Sequence, residues 1–267
     1  MPSDPDVAVR VTLLGTGTSV GVPVIGCTCR VCTSSDERDR RLRCSCHVEA
    51  NGVHLQIDTG PDFRVQALRF GIPKVDAVLI THHHFDHIAG LDDLRPYLFG
   101  NRAAIPCHAL PETASALRRQ YGYIFHDRSY PGVPHLEMHD VDGPFEVGSR
   151  DEPSRRVLVE PLRVYHGSLP VAGFRIGRFA YVTDTNHIPL EVLDRLVGVD
   201  VLVLDALRHE PHATHFTIAQ AIEVARGIGA RQTAFVHMTH TILHAEEEGR
   251  FPEGMGLGYD GQRFHVV

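Results

Sequence analysis

Four side chains able to bind metal fall within six residues in the segment Thr81-His82-His83-His84-Phe85-Asp86-His87, directly after the apolar run Val75 to Ile80. Where a chain stays extended, alternate residues face one side, so His82 and His84 can hold one divalent cation. Asp86 and His87, one turn further on, can reach a second. His83 and Phe85 point the other way and are assigned no metal. A second cluster, Cys27-Thr28-Cys29-Arg30-Val31-Cys32, offers three thiolates for three corners of a zinc tetrahedron and requires a fourth ligand from elsewhere. In a chain that begins without an export signal, such clusters point to metal before disulfides. The 19 histidines of the chain point the same way.

These residues must be carried by a scaffold, and the sequence outlines one. Apolar or β-branched runs from Val9 to Leu14, Val53 to Ile57, Val75 to Ile80, Phe179 to Thr183, Val201 to Leu204 and Thr233 to Val236 read as buried strands. Between them lie helical patterns. The clearest starts at Thr217, which forms a capping-box pair with Gln220, places Ile218, Ala221, Ile222 and Ala225 on one face, and ends at Gly227 or Gly229. A second follows Pro61 and stops at Gly71; a third runs from about Glu112 to Tyr121. Strands and helices alternate along the whole length, which predicts an α/β protein of sheets covered by helices, as one domain over residues 1–267. The stretch from Asp127 to Pro153, rich in Pro, Gly and charge, reads as a linker or an irregular surface excursion.

Composition bounds the function. With 267 residues, 43% of them hydrophobic, the chain can bury a sizeable core, and its net charge of −7 disfavours duplex nucleic acid as the main ligand. No run reaches the ~18 apolar residues of a membrane span, and the start MPSDPDVAVR has no signal-peptide core, so a cytoplasmic protein without membrane attachment is expected. Gly15, Gly17 and Gly21 do not make a phosphate loop, because no Gly-Lys-Ser/Thr follows; they read as tight turns near the metals.

The pattern His-x-His-x-Asp-His after a buried strand resembles the signature of the metallo-β-lactamase superfamily, and further residues match that family in order. Asp58, in Ile57-Asp58-Thr59-Gly60, matches a strand-end aspartate that supports the metal site from behind a ligand. His166 matches the third ligand of the first metal, Asp184 the carboxylate bridging both metals, and His237 the last histidine, on the second metal. Read singly, His166, Asp184 or His237 is more often a turn or cap residue than a ligand; it is the ordered set that carries the resemblance. It implies a four-layer αββα sandwich with His82, His84 and His166 on one ion, Asp86, His87 and His237 on the other, and Asp184 between them. Two divalent ions about 3.5 to 4 Å apart would share a hydroxide and stabilise charge on an attacked phosphorus or carbonyl carbon. Zn, Mn and Fe all suit such ligands.

Leu14-Gly15-Thr16-Gly17-Thr18-Ser19 followed by the cysteine cluster is similar to the phosphoribosyl cyclic phosphodiesterase branch of that superfamily, in which three such cysteines and a late histidine bind a structural zinc. The matching residues are Cys27, Cys29, Cys32 and His240. Cys44 and Cys46, where the branch has small hydroxyl residues, could compete for zinc or form a redox pair; they read as strand residues, and Cys107 as structural. His215, just ahead of the capped helix, matches the histidine that donates a proton to the leaving oxygen or steadies the phosphoryl charge in such phosphodiesterases and in transfer-RNA 3′ processing nucleases, with His212 the weaker candidate; as a cap or surface residue it would have no such role. The resemblance thus implies hydrolysis of a small, cyclic phosphodiester, with Asp86 and His215 as the catalytic residues, and a homodimer. Three other readings share parts of the pattern. They are a transfer-RNA 3′ endonuclease, a carboxylic ester or thioester hydrolase, and a non-catalytic carrier of the kind found in pyrroloquinoline quinone synthesis.

Overall fold

Side chains that alternate between two apolar environments decide the architecture. The computed structural model describes residues 7–100, 103–125 and 132–267. Its strands are β1 (Val9–Gly15), β2 (Ser45–Ala50), β3 (Val53–Ile57), β4 (Ala77–Leu79), β5 (Ile105–Ala109), β6 (Leu136–Asp140) and β7 (Phe145–Gly148). They continue as β8 (Arg156–His166), β9 (Leu169–Ile176), β10 (Phe179–Val182), β11 (Val201–Asp205), β12 (Gln232–Val236), β13 (Met255–Leu257) and β14 (Arg263–Val266). The α-helices are α1 (Phe63–Phe70), α2 (Phe85–Ile88), α3 (Pro111–Gln120), α4 (Gly122–Phe125), α5 (Leu190–Leu196), α6 (Ile218–Ile228) and α7 (His244–Glu247).

Two seven-stranded sheets result, ordered β14-β1-β2-β3-β4-β5-β6 and β13-β12-β11-β10-β9-β8-β7. Val11, Leu13, Val48, Leu55 and Leu79 of the first sheet meet Phe174, Phe179, Tyr181, Val203 and Val236 of the second in one buried cluster between the sheets. The alternate residues face outward. Val78, Ile80 and Ile105 pack on Leu91, Leu94 and Leu117, while Ala180, Leu202 and Leu204 pack on α5 and α6 through Val192, Leu196, Ile218, Ala221 and Ala225. Strands buried on both faces run apolar, as β11 (Val-Leu-Val-Leu before its final Asp205) does, because helices cover one side and the other sheet covers the second. This is the αββα sandwich expected from the sequence.

Parallel pairing then aligns the strand ends that matter. β10, β11 and β12 run parallel, with Val182 opposite Leu204 and Asp205 opposite Val236; in the other sheet β3 and β4 run parallel, with Ile57 opposite Leu79. The residues just beyond these ends therefore emerge along one edge of the sandwich. The capping box of α6 is complete, Thr217 accepting from the Gln220 backbone and Gln220 from the Thr217 backbone, and the helix ends at Gly229 in the left-handed conformation. Helix α1 likewise ends at Gly71.

Two expectations need correction, and one element went unread. The strand read over Val75 to Ile80 shortens to β4, with Val75 and Ile80 buried beside it. The stretch read as a linker or irregular excursion holds β6 and β7, one edge strand for each sheet; residues 127–131 of it lie outside the described residues. Both strands are short and partly polar, as edges commonly are. The long β8–β9 hairpin was not legible, because Pro161, Arg163 and Arg175 interrupt its apolar pattern. No helix among the described residues is long and apolar enough to cross a membrane.

Candidate metal centre

The strand ends deliver their side chains to one site, most of them buried, His166 half-buried and His84 exposed. His82, His84 and the short helix α2, carrying Asp86 and His87, follow β4; Asp184 follows β10, His166 ends β8 and His237 follows β12. His87 Nε2 lies 3.4 Å from Asp184 Oδ1 and 3.2 Å from Asp86 Oδ2, and His237 Nε2 lies 3.2 Å from Asp184 Oδ2. The ligating atoms of Asp86, His87, Asp184 and His237 all sit within 4.8 Å of one another. The rings of His82 and His84 are 4.5 Å apart, and that of His166 is 6.0 Å from the first and 5.4 Å from the second. His82 Nε2 reaches to 3.8 Å from Asp184 Oδ2. All seven residues picked from the sequence are thus gathered, with Asp184 within 4 Å of imidazole nitrogens of His82, His87 and His237.

Holding them there costs backbone strain. Among the described residues the non-glycine positions with positive φ are Asn51, Asp58, Asp184 and His237. Asp58 and His237 stand directly after β3 and β12, and Asp184 follows β10 with Thr183 between. A left-handed residue with a Cβ costs about 1–2 kcal/mol, and persists only where its surroundings over-determine it. Asp58 shows how: its carboxylate accepts from the Thr81 backbone N–H and hydroxyl, both at 2.8 Å, and stands 2.6 Å from His87 Nδ1. That contact turns the other nitrogen of His87 toward Asp86 and Asp184.

The electrostatics call for a cation. Asp58, Asp86, Asp184 and Asp205 are all buried, and among the described residues none of the ion pairs they make is to Lys or Arg. Buried carboxylates without compensation are costly. Burial pushes the Asp184 carboxyl up, but His237 and His87 beside it outweigh burial and hold it well below the ordinary range. Burial drives His82 well below its usual value, reinforced by His87, leaving the neutral imidazole that ligates metals. His82 Nε2, His87 Nε2 and both ring nitrogens of His237 are buried without hydrogen-bond partners. Ligand atoms about 2.05 Å from one cation in a tetrahedron lie about 3.3 Å apart, close to the separations around Asp184. These residues fit divalent metal.

His215 completes the pocket from a third direction. Its ring stands 4.4 Å from that of His166 and 4.7 Å from that of His237, and its Nδ1 donates to Asp205 Oδ1 at 3.0 Å. Asp205 also accepts from the backbone N–H groups of Phe216 and Asp184 at 3.1 and 3.2 Å. Asp205 therefore ties the loop before α6 to the carboxylate-bearing turn after β10. Sequence reasoning missed it, although it ends the run Val201 to Leu204 as Asp58 and Asp184 end theirs. His166, Asp184 and His215 also form a compact group, so His215 is within reach of a cation as well as of a substrate. His212 is exposed, its Nδ1 accepting from the Thr214 backbone.

A separate cluster lies beyond the same strand end. Cys27, Cys29 and Cys32 place their sulfurs 3.4, 3.5 and 3.6 Å from His240 Nδ1. One ring nitrogen cannot bond three thiols at once, yet zinc bonds of about 2.3 Å to sulfur and 2.05 Å to nitrogen put those atoms about 3.6 Å apart in a tetrahedron. The Cys32 backbone N–H aimed at Cys29 pulls that thiol down to about 6, while burial pushes Cys32 up to about 11. Cys44, Cys46 and Cys107 are buried, apart from this cluster, and free. The early glycines serve close packing: a Cβ on Gly15 would lie 2.0 Å from the Arg43 carbonyl oxygen.

Comparison with known proteins agrees with this geometry. The β-lactamase superfamily domain matches residues 54–238. A crystal structure of a diphosphatase from the PhnP family is 41% identical, with 97% of this chain and 98% of that chain covered and a TM-score of 0.87. An octanoyltransferase from Porphyromonas gingivalis is also 41% identical over 94% of this chain, but the chain spans only 50% of that protein's length. Coenzyme PQQ synthesis protein B from Methylobacterium radiotolerans is 30% identical over 73% of this chain and 72% of its own. Sandwich, strand-end residues and relatives converge, and the chain belongs to the metallo-β-lactamase superfamily of metal-dependent hydrolases, on the branch of the PhnP family.

Proposed function

We propose that the chain, acting as one domain, hydrolyses a small phosphodiester, with cyclic phosphodiesters as the leading class. His82, His84 and His166 would hold one divalent ion, Asp86, His87 and His237 a second, with Asp184 between them; Cys27, Cys29, Cys32 and His240 would hold a structural zinc. Bound in the centre, the ions supply Lewis-acid stabilisation of charge developing on phosphate oxygens and lower the pKa of water. The chain's own residues do the rest. Asp58 fixes the ring of His87, Asp86 sits where it can orient the attacking water, and His215 hands a proton to the departing oxygen. Asp205 keeps Nδ1 of His215 occupied, so Nε2 is the nitrogen left for the substrate.

The observation that carries this reading is the Asp205–His215 pair beside the acidic cluster. Its imidazole is 7% exposed, buried enough to be held in place and open enough to meet a substrate. The likeness to a diphosphatase favours a second reading, in which the bond cut is the bridging P–O of a linear diphosphate. Both have the same test: cyclic phosphodiesters, linear diphosphates, aryl phosphodiesters and thioesters offered to the Zn- and Mn-loaded protein. The expected result is turnover of phosphorus substrates that falls about 10²–10⁴-fold in His215→Ala, with metal content unchanged. Thioester turnover exceeding all of these would overturn it.

A further inference from the structure

On the outer face of the first sheet, behind the metal centre, lies a chain of buried polar side chains that the reaction does not use. Gln56 of β3 and Ser45 of β2 are 0% and 1% exposed, and His47, paired across the strands with Gln56, is 6% exposed. The Gln56 amide nitrogen faces three acceptors: Ser45 Oγ at 2.7 Å, the Asp58 carbonyl at 2.9 Å and the Ile57 carbonyl at 3.2 Å. The Ser45 hydroxyl reaches the same two carbonyls, Asp58 at 3.0 Å and Ile57 at 3.1 Å.

Three acceptors at one end fix the orientation of the amide, so Gln56 Oε1 must face His47 Nδ1, 3.4 Å away, and that nitrogen must donate. His47 Nε2 then accepts from His54 Nδ1 at 3.0 Å. This pattern requires a neutral His47. Burial, reinforced by His54, pushes it down to about 3.

The end of the chain is the peptide of Asp58, a left-handed residue at φ 57°. Its carbonyl is gripped from one side by Gln56 and Ser45, while its carboxylate is gripped from the other by Thr81 and His87. We infer that Gln56 and Ser45 are positioning residues, holding the Asp58 backbone so that its carboxylate meets His87 and turns that imidazole toward the metal centre. The inference rests on the reading of His87 as a ligand. It extends the support of the centre one layer further back than Asp58, to side chains on the far side of the sheet. Partners behind metal-binding imidazoles typically carry a 10–100-fold effect on metal affinity.

The test uses metal-loaded protein, challenged with a chromophoric chelator while released Zn or Mn is counted per chain. Gln56→Met, close in shape but without donors, is expected to weaken one ion of the histidine centre by about tenfold. Ser45→Ala should weaken it less and Ser45→Thr should restore it, while the cysteine-bound ion stays put in all three. A melting curve of each variant reports folding. If Gln56→Met does not fold, Ser45→Ala against Ser45→Thr decides. Folded variants that keep every ion within twofold of the unsubstituted protein overturn the inference. If the unsubstituted protein holds no ion at the histidine cluster, the reading of His87 as a ligand fails first, and this inference with it.

Discussion

The two donor clusters of this molecule hang from one strand end and are built on opposite plans. His237 and His240 both follow β12, three residues apart, with Met238 between them held by Thr16 and Thr18 on either side. The cysteine cluster takes three of its four donors from one loop, and three of the four are only partly buried. Its donors close around a single point. The histidine cluster draws on strand ends from both sheets, is mostly buried, and leaves imidazole nitrogens and carboxylate oxygens facing a shared space. A closed set of soft donors is suited to holding an ion for structure; an open set of nitrogen and oxygen donors is suited to chemistry. Removing one donor from each should therefore have opposite signatures. Asp184→Ala is expected to lower kcat/KM by about 10³-fold or more through loss of the shared carboxylate, with melting temperature affected mildly. Cys32→Ser should release one zinc per chain and lower the melting temperature in chelator, while kcat stays within about tenfold of native. Steady-state kinetics beside elemental analysis of both variants checks this, and matching losses of activity in the two would erase the distinction.

Within the histidine cluster the comparison sharpens between residues that hold metal and residues that move protons. Asp205 touches no predicted ligand oxygen or nitrogen as closely as it touches His215, its Oδ1 lying 3.9 Å from His237 Nδ1 and 3.0 Å from His215 Nδ1. Asp205→Asn keeps the shape and presents an amide where a carboxylate fixed the imidazole tautomer. A fall in kcat of about 10²-fold is expected, with both ions retained. Loss of metal in this variant would move Asp205 from the proton path to the support of His237.

How much of this was legible depended on whether the signal was local. The His82 to His87 run, the three cysteines and the Thr217–Gln220 cap are written in consecutive residues, and the structure gathers them as their spacing demands. Strands β10, β11 and β12 announced themselves because both faces are buried over most of their length and their middles are runs of apolar residues. The β8–β9 hairpin and the edge strands β6 and β7 did not, since one polar face or an edge position dilutes the pattern. Asp205, Gln56 and Ser45 were missed for a different reason. Their meaning lies in contacts across strands, and a single Asp, Gln or Ser within an apolar run carries no spacing that marks it. Nor does sequence disclose that Asp58, Asp184 and His237 sit in left-handed backbone, a property the surrounding hydrogen bonds impose.

The backbone strut formed by Thr16 and Thr18, which holds Met238 between the two clusters, provides the smallest and most specific test. Asp260 is half-buried beside it, accepting from the Thr16 hydroxyl at 2.9 Å and from the Leu42 backbone N–H at 2.8 Å. Burial pushes its carboxyl up to about 7, the hydrogen bonds from Leu42 and Thr16 offsetting only part of the effect. Because the folded value lies above the unfolded 3.8, folding favours the protonated acid. That contribution is complete below about pH 4, is lost as pH rises through 7, and leaves roughly 4 kcal/mol less stability at pH 8 than at pH 4 from this group alone. Asp260→Asn keeps one acceptor for Leu42 and one donor for the Thr16 hydroxyl, and carries no charge. Its melting temperature is expected to exceed that of the unsubstituted protein by several degrees at pH 8, with the gain shrinking toward zero at pH 5. Taking the difference between the two proteins at each pH cancels the titration of every other group, including the metal-binding imidazoles. A gap that is equal at both pH values would mean that Asp260 is ionised throughout and that the strut is held by the charge itself.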